Sequence, residues 1–167
     1  PQVLGLFALL IYTRMDTVMV KSILGDHEAG IYSAGARLAE GLYFIPVVLS
    51  SSLLPYLVRA KDAGGNLYQT RVKNYLKLHA ALGYSIAIFG TVLAAPIIST
   101  LYGAAYLQSV TVFNIYVWAT IPYFLGYARQ EYFVAEGLLR LNLPVTLLGA
   151  FSTVILNWFL IPIYGVP

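Results

Sequence analysis

Residues 78–128 read LHAALGYSIAIFGTVLAAPIISTLYGAAYLQSVTVFNIYVWATIPYFLGYA, 51 positions without one Asp, Glu, Lys or Arg. A soluble domain carries about 25% charged residues, and one bilayer crossing takes about 20 mostly apolar residues. The stretch therefore predicts two membrane-spanning helices joined by a turn at Leu101-Tyr102-Gly103-Ala104-Ala105-Tyr106. The rest of the chain has the same character: its 167 residues are 59% hydrophobic and 10% charged. The fold class this predicts is all-α, a polytopic transmembrane helical bundle.

Working outward, five spans fit, at approximately 4–24, 29–58, 76–101, 107–138 and 143–161. Gly25-Asp26-His27-Glu28 reads as the turn between the first two. A polar loop, 59–75, follows the second and contains Gly64-Gly65-Asn66 as its breaker. The second and fourth spans exceed a perpendicular crossing, which implies tilt, a proline kink or extension beyond the lipid. Pro1 opens in apolar sequence and the chain stops in mid-loop at Tyr164-Gly165-Val166-Pro167, so it reads as a piece of a longer protein.

Basic residues orient the spans, because cytoplasmic loops carry an excess of Lys and Arg. Arg59, Lys61, Arg71, Lys73 and Lys77 cluster in or beside loop 59–75, and Arg140 falls on the same side. That side is expected to be cytoplasmic. The net charge of +3 is concentrated there, which argues against nucleic-acid binding. Tyr56, Tyr68, Tyr75, Tyr102, Tyr106 and Tyr164 lie near span ends, where aromatic belts form, with sugar stacking as the competing role. In the third span Ala80, Gly83, Ala87, Gly90 and Ala94 recur every three or four residues, a stripe that lets helices approach closely in lipid.

Apart from Lys21 and Lys77 at span edges, seven charged residues fall inside predicted spans: Arg14, Asp16, Arg37, Glu40, Arg129, Glu131 and Glu136. Each central Arg or Asp costs about 2.5–3.5 kcal/mol on insertion scales, so such groups face one another, water or a ligand. In an antiparallel pair turning near Asp26, Asp16 comes level with Arg37 and Arg14 with Glu40, about 15 Å from the turn at 1.5 Å per residue. Arg14, Arg37 and Arg129 are thus candidates for a cationic cavity, and Asp16, Glu40 and Glu131 for their charge partners or for ion coupling. Glu136 and Arg140 read as a surface pair one turn apart. Charges that merely hold helices together remain the competing reading.

Other chemistry is not indicated. The sequence has no phosphate-binding loop and no nucleophile elbow. His27 and His79 are too far apart to share a metal, and with no Cys there is neither disulfide nor thiolate chemistry. No cofactor is expected, nor an enzyme.

The chain resembles the C-terminal half of Wzx-type polysaccharide flippases, in the multidrug/oligosaccharidyl-lipid/polysaccharide exporter superfamily. The resemblance rests on Asp16-Thr17-Val18-Met19-Val20, Leu24-Gly25, Ala29-Gly30-Ile31-Tyr32-Ser33-Ala34 and Arg37-Leu38. It continues through Ile45-Pro46, Ser52-Leu53-Leu54-Pro55, Leu101-Tyr102-Gly103 with Tyr106, Gly137 with Arg140, Gly149-Ala150, Leu156-Asn157 and Leu160-Ile161-Pro162-Ile163-Tyr164-Gly165. It implies a twelve-span, two-bundle transporter in the inner membrane. Such a protein moves isoprenoid-diphosphate-linked oligosaccharide across the bilayer by alternating access, for cell-surface polysaccharide such as O-antigen. The implied partners are that lipid-linked oligosaccharide, the bilayer, H+ or Na+ as coupling ion, and polysaccharide polymerase machinery. Alternatives are a drug/cation antiporter of the same superfamily, or a non-transporting scaffold or polysaccharide-assembly subunit. Three Arg against three acids favour an anionic ligand over a cationic one.

Overall fold

The structure, a computed structural model, describes residues 17–63 and 65–138 together with 148, 149, 151, 152 and 155. Regular structure among them is entirely helical. Helix α1 is residues 17–24, and Gly25 separates it from α2 (Asp26–Glu40). A 3-10 turn, Gly41–Tyr43, leads into α3 (Phe44–Ala63). Helix α4 (Gly65–Tyr102) and α5 (Ser109–Glu136) form a hairpin through a short 3-10 turn at Ala104–Tyr106. Among the described residues, three helical stretches are long and apolar enough to cross a membrane: Asp26–Lys61, Asn66–Tyr102 and Ser109–Glu136. Most of the first and fifth predicted spans, with Arg14, Asp16 and Arg140, lies outside the described residues.

Local chemistry explains the breaks. Gly103 has φ 87° and ψ 171°, a region essentially closed to residues with a Cβ. It stops α4 and reverses the chain. Gly137 is left-handed at φ 73° and ends α5, with the Leu138 N–H returning 2.8 Å to the Phe133 carbonyl. Pro46 sits in the first turn of α3, where its missing N–H costs least. The preceding residues tighten into the 3-10 turn.

One expectation needs correction. Segment 59–75 is not an irregular loop: α3 runs on to Ala63 and α4 begins at Gly65. Charge removes a segment from the lipid but does not unwind it. Leu, Lys, Arg and Gln are all good helix formers. At 1.5 Å per residue, the 38 residues of α4 span about 57 Å, against a hydrocarbon core of about 30 Å. Its polar first turns therefore extend beyond its apolar part.

Helix α5 packs against α2, α3 and α4. Two contacts with it depend on the absence of a side chain. A Cβ at Gly35 of α2 would lie 2.7 Å from the Ser109 carbonyl and 2.9 Å from the Phe113 nitrogen, both backbone atoms. Beside it, Ser109 Oγ donates to the Ile31 carbonyl at 2.8 Å. On α4, a Cβ at Gly90 would meet Val117 Cγ2 at 2.6 Å, and one at Gly83 would approach Ile121 Cα at 3.2 Å. Ala87 and Ala94 of the same stripe are buried, and Ala94 joins Ala39, Ile98, Phe113 and Val117 in the main apolar cluster. The small stripe is thus the α5-facing surface of α4.

Polar glue joins the other elements. Ser50 of α3 and Tyr75 and His79 of α4 are all buried. Ser50 Oγ lies 2.6 Å from the Tyr75 hydroxyl and 3.1 Å from His79 Nε2, while His79 Nδ1 lies 3.0 Å from the Tyr75 carbonyl. One assignment satisfies these three contacts, with the Pro46 backbone a further neighbour of the imidazole. Nδ1–H donates to the Tyr75 carbonyl, Nε2 accepts from the serine, and the serine oxygen accepts from the phenol. Tyr75 is therefore an interior ligand of α3, not the outward belt residue its position suggested. At the basic end, Lys61 Nζ bridges Glu136 Oε2 at 3.0 Å and the Ala135 carbonyl at 2.8 Å, and Tyr68 donates to Glu136. Lys61 from α3, 75 positions away, thus holds Glu136; Arg140, expected to pair with it, lies outside the described residues.

These contacts predict a contrast between glycines. Gly35→Ala forces backbone apart and should lower the stability of the detergent-solubilised full-length protein by about 1–3 kcal/mol. Gly30→Ala, with nothing within 4 Å of its Cβ, should not. Equal thermal unfolding midpoints for the two variants would remove the close-packing claim. Ser50→Ala strands His79 Nε2 and the Tyr75 hydroxyl and should cost about 1–3 kcal/mol. The check is the same melt, with Ser51→Ala, an exposed neighbour, as the comparison that stays at wild type.

Candidate functional site

The seam between α2, its 3-10 extension and α5 carries an unusual density of phenols. On α5, Tyr116, Tyr123, Tyr127 and Glu131 are spaced seven, four and four residues apart, which puts them on one helix face. Tyr32 and Tyr43 oppose them. The Tyr32 and Tyr116 hydroxyls are hydrogen-bonded, with the rings edge to face at 5.9 Å. Tyr43 and Tyr123 stack at 3.9 Å, only 12° from parallel. Tyr123 keeps 38% of its surface exposed, so the stack is open on one side.

The stack coincides with interruptions in both of its helices. Tyr43 ends the 3-10 turn three residues before Pro46, and Tyr123 follows Pro122 inside α5. Pro122 has no N–H to offer the Trp118 carbonyl one turn back. The hydroxyl of Thr120, also in this turn, bonds the Val117 carbonyl at 2.6 Å. A 3-10 segment inside a long rod and a proline in its neighbour are places where helices bend at small cost.

The candidate charges are distributed around this seam. Arg37 lies in the last turn of α2 and is exposed, while Glu40, one turn on, is half-buried. Arg129 is exposed on α5, its guanidinium 5.5 Å from the centre of the Phe133 ring. Glu131 is half-buried. Among the described residues the ion pairs are Lys21–Asp26 and Lys61–Glu136, so Arg37, Arg129, Glu40 and Glu131 are in none. The expected pairings of Asp16 with Arg37 and of Arg14 with Glu40 involve partners outside the described residues. No cluster of His, Asp and Glu suited to a metal occurs among the described residues.

Such a seam can bind a polyhydroxylated, amphipathic ligand. A tyrosine offers an apolar ring face and a hydroxyl that both donates and accepts. Sugar rings present the complementary apolar C–H faces and hydroxyls, and carboxylates such as Glu40 and Glu131 accept from the latter. The exposed guanidiniums suit an anionic group, phosphate above all. Sequence reading found the charges but missed the phenols. Their signal was the spacing of Tyr116, Tyr123 and Tyr127 with Glu131 on a single face, obscured by the nine tyrosines of the chain that lie outside the seam.

No curated protein and no solved structure matches the chain. A family model described as a polysaccharide biosynthesis protein matches residues 1–111, more than half of the 167 residues and including α2, α3 and α4. With its membrane-length helices, the chain is therefore a membrane protein of the polysaccharide biosynthesis protein family.

Proposed function

We propose that this chain is part of a flippase that carries isoprenoid-diphosphate-linked oligosaccharide across the inner membrane by alternating access, a transporter and not an enzyme. The observation that carries the reading is the tyrosine seam. It lies along two membrane-length rods, in a family devoted to polysaccharide, at the level where both rods are interrupted. In this reading the oligosaccharide slides along the phenols, whose stacking tolerates many sugars. Arg37 and Arg129, with Arg14, receive the diphosphate, and Glu40, Glu131 and Asp16 hold the guanidiniums when cargo is absent. The joints at Gly41–Tyr43 and Pro122 let the cavity face alternate sides. Protons or Na+ would couple through the acids, and the delivered oligosaccharide would pass to polymerase machinery.

Export of polymer tests this, using the full-length protein in a strain lacking its own flippase and scoring membrane abundance in parallel. Tyr43→Ala and Tyr123→Ala should each lower export roughly tenfold at normal abundance, equivalent to about 1.4 kcal/mol. Phe at either position should keep much of it, because the stack survives. Arg37→Lys, which keeps charge and loses the bidentate fork, should be impaired in part. Normal export in both alanine variants at normal abundance would sink the seam as the cargo path.

Orientation is tested separately. The α3–α4 connection should face the cytoplasm, given its Lys and Arg excess. A single Cys at position 63 in an otherwise Cys-free full-length protein should resist an impermeant maleimide applied to intact cells and react after permeabilisation. Labelling from outside would reverse the topology.

A further inference from the structure

An open cavity of about 160 Å3 lies between α3 and α4, away from the tyrosine seam. Leu53, Leu57 and Leu78 form its apolar side, and Tyr56, Arg71 and Asn74 its polar side. The guanidinium carbon of Arg71 lies over the Tyr56 ring, 3.8 Å from its centre, and Nη1 donates to the Tyr56 carbonyl at 3.3 Å. Its Nε–H is buried with no acceptor among the described residues, and Arg71 is in neither of the ion pairs found there. A buried donor without an acceptor costs about 1–3 kcal/mol. The structure thus holds a cation still, by stacking, beside a cavity that supplies no anion.

The cavity straddles a chemical border. Lys77 is the last charge before the charge-free run, and Leu78 is the first residue of that run. On one side of the border are the leucines; on the other are Arg71 and Asn74, with Arg59, Lys61, Lys73 and Lys77 in the same basic segments. A phospholipid presents the same order of chemistry, acyl chain first and phosphodiester after it. Basic residues at a membrane surface attract anionic headgroups in particular. We infer that this cavity binds an anionic bilayer phospholipid. Its phosphodiester accepts from Arg71, and its acyl chain lies against Leu53, Leu57 and Leu78. The inference needs only a membrane-embedded chain and does not rest on the transport reading.

Bound lipid is the readout. Purified full-length protein is equilibrated in mixed micelles containing equal phosphatidylglycerol and phosphatidylcholine, and the retained lipid is counted by mass spectrometry. Wild type should retain phosphatidylglycerol in preference, and Arg71→Gln should lower that preference about fivefold, the effect of one basic group near the surface. Lys73→Gln, an exposed neighbour outside the cavity, should leave it near wild type. Leu78→Trp fills the apolar side and leaves every charge in place, so it too should lose the lipid. It decides the matter if Arg71→Gln does not accumulate. The inference is overturned if Arg71→Gln or Leu78→Trp retains phosphatidylglycerol as wild type does. An equal loss in Lys73→Gln overturns it in favour of diffuse surface charge. Displacement of the lipid by excess inorganic phosphate overturns it in favour of a site for the bare anion.

Discussion

Everything in the described bundle leans on α5, and α5 can be approached closely only because its neighbours remove their side chains. In lipid there is no hydrophobic drive to press one apolar helix on another. Association comes from van der Waals contact, which falls away within about an ångström of separation. Gly35 brings the backbone of α2 against the Ser109 carbonyl and the Phe113 nitrogen, and Gly90 brings α4 against Val117. These two contacts set the distances at which the tyrosine seam and the apolar cluster can form. A single methyl group at Gly35 would separate Tyr32 from Tyr116 as surely as it would separate the helices.

Polar interactions play a different part. The Ser50–Tyr75–His79 network and the Lys61–Glu136 bridge fix register, not proximity. A helix slipping by one residue would rotate about 100° and leave each of these groups facing the wrong neighbour. Packing through glycines alone tolerates sliding, because a smooth surface fits in several registers. The buried network of α3 and α4 and the charged clamp at the far end remove those alternatives. Between α2 and α5 the Ser109 hydroxyl, on the Ile31 carbonyl at 2.8 Å, plays the same part.

How much of this could be read from the chain alone depended on whether the deciding signal was local. The hairpin of residues 78–128 was legible because absence of charge over 51 positions has one physical explanation, and because Gly103 marks the turn. The stripe from Ala80 to Ala94 was legible as a packing surface, though its partner was not, since periodicity names a face and never its neighbour. Segment 59–75 was misjudged because polarity and helicity are independent. Tyr75 was misjudged because proximity to a span end does not say which way a side chain points. Gly35 gave no warning, being one small residue among Ala34, Ala36 and Ala39. For the site, Arg37 and Glu40 were singled out by cost and by depth, Arg129 and Glu131 by cost. The phenols beside them went unnoticed because a tyrosine in lipid costs too little to attract attention.

The bond between Ser109 and Ile31 spans 78 positions of sequence. Synthesis proceeds at about 5–20 residues per second, so α2 emerges roughly 4–16 s before the serine that will hold it. The Ser50–Tyr75–His79 network, by contrast, lies wholly within the α3–α4 hairpin and can close while α5 is still being made. Assembly therefore has an order written into it. The Ser50–Tyr75–His79 network can close first, and the α5-facing surface of α2 meets its partner only when α5 is made.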